Sequence, residues 1–504
     1  MAQLKRTNVS APPGSGKTRL ATRLAVAAAL RDGPQSVAAV TYTKAAALEL
    51  QERMALALGI KDHSQRNLSR QIPYVGTLHS LAYRLLHIGK GQVAGEHLAD
   101  FCGYVNIPPP RDRYASVDDL EGLWWGGLDA SSTEIDSLLR VLASMRHTGR
   151  SIEDAYERIP MARQLVTNPG RMAWLAQEYN LWKHEHDYLD FEDMLEQGCT
   201  VPIPCKTIIN DEVQDQSLLM WRVVNAWAEG GRCEHFWALG DGFQSLYQWA
   251  GASPDLFFSQ PGEWFHLPVS HRLGNDSAQY ARAILQRAGY ESVPEWRGVG
   301  GQPVDGTTFY LARTHALVGL FEGELQRDGT PYKSLRGSSP WSSRAGQAFR
   351  ACRLVERTGW VMPADALKNV VKQIRLPLPR RAKAAVEGMG GEVSWPEELF
   401  GGLTPTKAAD YFQHSDYFQR VEAVHGAEAI FEKPKISVST IHGAKGREAD
   451  RVILADSWAQ LPARMLANEE GRLAEACVAY VACTRHRASL EIKDDFPGHL
   501  YPLP

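Results

Sequence analysis

Along the first 55 residues the apolar positions change period twice. A short apolar run, Thr7 to Ser10, precedes a glycine-rich turn, then a helical stretch from Arg19 to Arg31, then a β-rich run from Val37 to Thr43. That order predicts a βαβ unit, the building block of a parallel sheet with helices on its faces. From about residue 86 to 195 the period becomes helical: Ile135, Leu138, Leu139 and Leu142 recur at helix spacing after a Ser-Ser-Thr cap, and Met172, Leu175, Tyr179 and Trp182 form a second stripe. Strand-like runs return at Thr207 to Asn210 and Glu234 to Leu239, so the helical block reads as an insertion into one sheet domain. The runs Thr308 to Ala312, Ile436 to Ile441 and Arg451 to Ala455 predict a second sheet, interrupted by residues 339–432, a stretch rich in Pro, Gly and Trp. The expected class is α/β, with two sheet domains each interrupted once.

Composition narrows this picture without redirecting it. With 504 residues, 22% charged and 44% hydrophobic, the chain has the balance of a folded globular protein rather than a disordered or membrane one. The start lacks an apolar signal core, and the longest apolar candidate, Leu20 to Leu30, is short and holds Arg23, so neither a signal peptide nor a membrane span is expected. Seven cysteines without a CxxC pair fit free thiols in a reducing cytosol, which makes a cytoplasmic location the expectation. Trp124 and Trp125 are expected in a core. The net charge of −3 speaks against a nucleic-acid partner, but it is an average. From Arg344 to Lys383 ten Lys/Arg face only Glu356 and Asp365, a local +8. Lys368, Lys372 and Arg375 fall at steps of four and three, one face of a helix, suited to duplex phosphates.

Two segments carry chemistry. Ala11-Pro-Pro-Gly-Ser-Gly-Lys-Thr18 is a phosphate-binding loop between a predicted strand and helix. Gly14, Ser15 and Gly16 would wrap phosphate oxygens with backbone N–H groups, Lys17 would reach the β- and γ-phosphates, Thr18 would ligate Mg²⁺, and Arg19 opens the helix. Ile208-Ile-Asn-Asp211-Glu212-Val-Gln-Asp215 ends an apolar strand in paired acids. Asp211 is the candidate metal ligand and Glu212 the candidate general base. ATP and Mg²⁺ are the implied ligands.

Further strings follow in order. Asp-Glu-Val-Gln-Asp resembles the DExQD box of superfamily 1 helicases, and Gly240-Asp-Gly-Phe-Gln-Ser-Leu-Tyr-Gln-Trp-Ala-Gly-Ala252 resembles motif III of their UvrD/Rep branch. Val40 to Ala47 and Val75 to Ala82 are similar to motifs Ia and Ib; Ser270 to Leu273, Thr440 to Glu448 and Ala479 to Arg485 are similar to motifs IV, V and VI. The resemblance implies two RecA-like motor domains, at 1–85 with 196–262 and at 263–338 with 433–504. It also implies a helical insertion at 86–195 and a reduced insertion at 339–432. It implies that Gln244 senses the γ-phosphate or its water, that Arg272 and Arg485 act as arginine fingers, and that Glu448 meets the ribose. Tyr42 and Trp249 would stack on bases, and Thr77, His79, Thr440 and His442 would contact backbone phosphates. The implied partner is single-stranded DNA and its junctions with duplex, with movement 3′ to 5′ and no membrane; a recruiting protein is not identified by the sequence.

Departures from the family pattern set further expectations. His271 stands where a Tyr normally stacks on the nucleotide base, and ten residues precede Ala11, too few for the usual adenine-reading segment; loose purine selectivity is expected. Nineteen residues follow Arg485, which disfavours a nuclease fusion. The rivals to a helicase are a translocase that strips proteins from single strands without processive unwinding, and a nucleotide-gated interaction protein.

Overall fold

The computed structural model describes residues 3–110, 132–335, 339–378, 380–455 and 468–493. Trp124 and Trp125 lie outside the described residues. The chain divides into two compact units, Met1–His271 with Glu291–Arg297, and Arg272–Tyr290 with Gly298–Pro504.

The first unit is built on a six-stranded parallel sheet. Its strands are β1 (Lys5–Ser10), β2 (Val37–Thr41), β3 (Val75–Thr77), β4 (Thr207–Asp211), β5 (His235–Gly240) and β6 (Glu263–His266), in the spatial order β3-β2-β4-β5-β1-β6. β2 and β4 are buried along their whole length, as strands covered by helices on both faces must be. The helices that matter for the site are α1 (Lys17–Asp32), α2 (Lys44–Ala57) and α3 (Leu78–Leu85). Between β3 and β4 the chain leaves the sheet and forms α4 (Glu134–Thr148), α5 (Pro169–His186) and α6 (Phe191–Gly198). Ile135, Leu138, Leu142, Met172, Leu175, Tyr179 and Trp182 of the two stripes meet in a core of their own, and Leu139 packs half-buried against it. α7 (Leu218–Glu229) then packs back on the sheet.

One boundary moves. The family pattern starts a second domain at residue 263, but Glu263–His266 pairs with β1 from Thr7↔Glu263 to Ser10↔His266, so the first unit runs on to His271. Three of the four residues of β6 are exposed and the fourth is half-buried, an edge strand without the apolar alternation that marks a buried one.

The second unit holds a five-stranded parallel sheet: β7 (Thr308–Ala312), β8 (Tyr332–Ser334), β9 (Ile436–Thr440), β10 (Ala449–Ala455) and β11 (His486–Lys493), ordered β8-β9-β7-β10-β11. Helices α8 (Asn275–Ala288), α9 (His315–Arg327) and α13 (Glu469–Cys483) belong to this unit. The 339–432 stretch folds as α10 (Arg344–Arg357), α11 (Ala364–Gln373), α12 (Ser415–His425), shorter helices and a two-stranded antiparallel ribbon of Val361–Pro363 with Glu392–Ser394. Unlike the first insertion it shares its core with the sheet layer among the described residues: Trp341, Phe349 and Phe418 cluster with Leu317, Phe321 and Val438.

The basic stripe expected here does not form. α11 ends at Gln373 and Ile374 is extended, so Arg375 leaves the helical face. Lys368 pairs with Asp365 at 3.3 Å, Lys372 with Glu387 at 3.1 Å, Arg353 with Glu422 at 2.9 Å and Arg357 with Glu428 at 2.6 Å. All seven cysteines are free thiols. Among the described residues no helix is long and apolar enough to cross a membrane.

Candidate active site

Parallel strands bring loops from distant sequence to one edge of a sheet, and β1, β5 and β4 lie side by side. Ser10 is opposite Gly240, and Leu239 opposite Asp211, so the segments after all three strands converge. The Ala11 N–H donates to the Gly240 carbonyl at 2.9 Å, tying the phosphate-binding loop to β5. Gly14 and Gly16 have φ of 73° and 85°, left-handed conformations that favour glycine. Gly16 caps α1 without a side chain and no acid sits in the first turn, so the positive helix end faces the loop. Arg19 is exposed and Thr18 half-buried. His271 is held to the same loop, its N–H donating to the Gly14 carbonyl at 2.9 Å, and its side chain is exposed.

The acids after β4 and β5 form a network around one lysine. Lys17 Nζ donates to Glu212 Oε2 at 2.7 Å, and Gln214 Nε2 donates to the same oxygen. The other end of Gln214 accepts the Asp241 N–H at 3.1 Å, and Asp241 Oδ2 accepts from Gln244 Nε2 at 2.8 Å. Burial opposes the Lys17 charge, yet the carboxylates of Glu212, Asp211 and Asp241 outweigh it and hold the ammonium above its ordinary range. Asp211 is deeply buried beside Glu212, and those two effects push its carboxyl up to about 7 against the pull of Lys17 and of a Thr18 hydrogen bond. Glu212 has φ 57°, a strained conformation for a residue with a Cβ, and the surrounding bonds hold it there.

A second layer supports this pocket. Ser217 Oγ caps α7 and lies 2.6 Å from His147 Nδ1, at the end of α4. Gly251, with φ 88°, passes so close to this turn that a Cβ there would lie 2.6 Å from the His147 carbonyl oxygen. Helix α4 thus touches both the segment after the paired acids and the segment that carries Trp249. Beneath it Lys183 bridges Asp190 and Asp193, while Arg146 reaches the same two carboxylates at 2.9 and 2.8 Å.

Tyr42 stacks on Tyr247, ring centroids 5.8 Å apart and planes 16° from parallel. The Trp249 side chain lies outside the described residues. Thr77 caps α3 through its hydroxyl. Thr77 and His79 line a cavity of about 480 Å³ together with Lys44, Arg84, Lys90 and Phe191, between the sheet layer and the first insertion. Burial, with a smaller push from His147, lowers the His79 imidazole to about 3, so it enters that cavity neutral.

In the second unit Thr440 ends β9 and its hydroxyl accepts the Gly443 N–H at 3.2 Å; His442 is half-buried in the turn that follows. Arg272 pairs with Glu448 Oε2 and donates from Nη1 to the Thr484 carbonyl at 3.3 Å. Arg485 is buried, its Nε donating to the Val481 carbonyl at 3.1 Å.

The profile of the UvrD/REP helicase N-terminal domain matches residues 2–263, and that of the UvrD-like helicase C-terminal domain matches residues 422–493. The chain belongs to the UvrD/REP helicase family. Among the relatives of this UvrD/REP chain, the putative ATP-dependent DNA helicase YjcD of Bacillus subtilis is 27% identical over 304 residues, 55% of this chain and 36% of that protein. A probable DNA helicase II homolog of Mycoplasma pneumoniae is 22% identical over 288 residues, 51% of this chain and 36% of its own. The ATP-dependent DNA helicase PcrA of Staphylococcus aureus is 24% identical over 258 residues, 48% of this chain and 32% of its own. The chain therefore aligns with only about a third of each relative's length. The two sheets are the RecA-like layers of the UvrD/REP fold.

Several residues of this site do not stand out in the sequence. Gln214 and Asp241 lie inside the quoted motifs, and their signal is position alone: a buried amide and a buried acid beside a base. Tyr247, two residues before Trp249, gives the same signal. Arg487 falls outside every motif, and only the fold brings it to Glu448.

Proposed function

We propose that this chain is an ATP-dependent DNA motor that moves on single-stranded DNA, 3′ to 5′ by family resemblance, and separates strands. The observation that carries the proposal is the Lys17–Glu212–Gln214–Asp241–Gln244 network at the ends of three adjacent strands. A protein that only switched on nucleotide binding would need the phosphate loop but not a base held in place on both sides.

In this reading the loop amides and Lys17 bind the β- and γ-phosphates. Glu212, released from Lys17 by the incoming phosphates, accepts a proton from the attacking water, and Gln244 orients that water. The Thr18 hydroxyl and the buried Asp211 carboxylate are hard oxygen donors that fit Mg²⁺, which when bound would neutralise phosphate charge. Arg272 and Arg485 supply cations to the transferring phosphoryl, an effect worth about 10³ or more in rate. Tyr42 with Tyr247, Trp249, and the cavity of Thr77 and His79 serve single-stranded DNA, with Thr440 and His442 as the second unit's phosphate contacts.

The deciding experiment is ATP turnover with and without single-stranded DNA for wild type and Glu212→Gln. Stimulation by DNA in the wild type and loss of turnover in the variant are expected; a rate indifferent to DNA overturns the motor reading. A second reading, a translocase that displaces bound proteins without processive unwinding, is favoured by one finding. Four of the basic residues of 339–432, Lys368, Lys372, Arg353 and Arg357, are paired with Asp365, Glu387, Glu422 and Glu428. Unwinding of a forked duplex against displacement of a bound protein separates the two.

A further inference from the structure

Arg487 stands two residues past the last motif, on β11, and its guanidinium meets three carboxylates. Nε donates to Glu448 Oε1 at 3.0 Å, and Nη2 lies 3.0 Å from the same oxygen. Nη1 is 3.2 Å from Asp450 Oδ1 and 3.3 Å from Asp305 Oδ2. Asp450 is pinned in turn by the backbone N–H groups of Val304, Asp305 and Gly306, at 2.8, 2.8 and 2.5 Å. Glu448 thus sits between two guanidiniums: Arg487, anchored on its far side, holds Oε1, while Arg272 holds Oε2.

We propose that Arg487 is a positioning residue for ATP hydrolysis: by keeping Glu448 paired through one oxygen, it allows Arg272 to leave the other and serve the nucleotide. This rests on Arg272 being the finger of the proposed motor. A half-buried carboxylate that loses its only cation is left with uncompensated charge, and removal of one partner from such a pair is costly. With Arg487 in place Glu448 keeps a charge-assisted hydrogen bond from Nε and the nearby Nη2 charge throughout, so the departure of Arg272 does not strand it. The planar fork of Arg487 suits this work, since it engages Glu448 and Asp450 at once. Without it, both Glu448 oxygens are left for Arg272 alone and the finger stays parked.

The test is steady-state ATP turnover at saturating single-stranded oligothymidylate, per active site counted by nucleotide binding. Arg487→Gln should lower kcat about five- to twentyfold while KM for ATP moves less than about twofold, and Arg487→Lys should restore most of the loss. In a Glu448→Gln background the same Arg487→Gln step should cost less than about twofold, because no carboxylate remains to trap the finger. Equal losses in both backgrounds, or an unchanged kcat per active site with only a lower melting temperature, overturn the proposal. If Arg487→Gln does not fold, Asp450→Asn loosens the anchor of Arg487 without touching Glu448, and its cost in the same two backgrounds is held to the same limits. Arg272→Ala separates the two failures. If it is inactive while Arg487→Gln is unimpaired, only this inference falls; if it turns over ATP normally, the finger reading falls and takes the inference with it.

Discussion

Asp211 in the first unit and Glu448 in the second are both carboxylates at strand ends, and burial pushes both toward the neutral acid. Their neighbours send them opposite ways. Asp211 lies beside Glu212, and with Lys17 shared among several acids its carboxyl rises to about 7. Glu448 lies between Arg272 and Arg487, which outweigh burial and hold it below the usual carboxylate range. The first pocket is short of positive charge and, in the proposed function, gains from a cation brought with the nucleotide. The second is satisfied internally, and in the proposed function it must open before Arg272 can act elsewhere. Fold does not impose this difference, because parallel sheets with loops at the strand ends carry both; the side chains beside each acid do.

The contrast is broken most sharply by removing one acid from each unit. Glu212→Gln keeps shape and hydrogen-bonding capacity but cannot accept a proton. A fall of about 10² to 10⁴ in kcat is expected, with nucleotide binding retained in a direct titration. Glu448→Gln should cost less than about tenfold, since the two arginines keep their other partners. Equal losses from the two variants would show that both carboxylates do the same kind of work.

Next in size is the contact that holds the first pocket. A methyl group at Gly251 would meet the His147 carbonyl oxygen at 2.6 Å on a backbone with φ 88°. Gly251→Ala is expected to cost about 1–3 kcal/mol of stability in urea unfolding. It should also reduce DNA-stimulated turnover more than basal turnover, because the displaced segment carries Trp249. A variant of full stability and full stimulation would mean that α4 does not brace the pocket.

These residues also mark what can be read in the chain. β7 runs from Thr308 to Ala312 as the apolar run predicts, and the stripes of α4 and α5, the half-buried Leu139 apart, are buried as spaced, because continuous or periodic apolar positions encode burial directly. β6 escapes such a reading because an exposed edge strand has no such pattern. Arg146, Lys183, Asp190 and Asp193 look like ordinary surface charges in the sequence; Lys183 and Asp190 are buried and Arg146 and Asp193 half-buried because they satisfy one another, and sequence shows charge but not pairing. The phosphate loop and the paired acids are legible because their chemistry is local in sequence. The Glu448–Arg487 pair is not, because two adjacent strands bring together residues 39 apart.

A third buried acid tests whether burial or partner decides the sign. Glu192 lies in the ionic cluster of the first insertion, and burial, reinforced by Asp190, pushes it up to about 7 against Arg146 and Lys183. The folded chain therefore holds this proton in a pH range where the unfolded chain, with an ordinary Glu at 4.5, has lost it. The stability linked to that proton is complete below the ordinary value and is lost as pH rises through about 7. Glu192→Gln mimics the protonated acid and cannot titrate. Its melting temperature relative to wild type should climb between pH 5 and pH 8; a flat or falling difference would give the partners, not burial, the deciding role.

The smallest effect is expected where charge is most exposed. Lys372 and Glu387 lie 3.1 Å apart with 59% and 60% of their side chains open to solvent, so water screens the pair. Lys372→Gln should change stability by no more than about 0.5 kcal/mol. Because the lysine already has an acidic partner, affinity for a forked duplex should stay within about twofold at moderate salt. Measuring both, beside binding to a single strand, asks whether the local +8 of the sequence is a grip on duplex or an internally balanced surface. A loss confined to the fork would restore the grip and, with it, the case for unwinding over protein displacement.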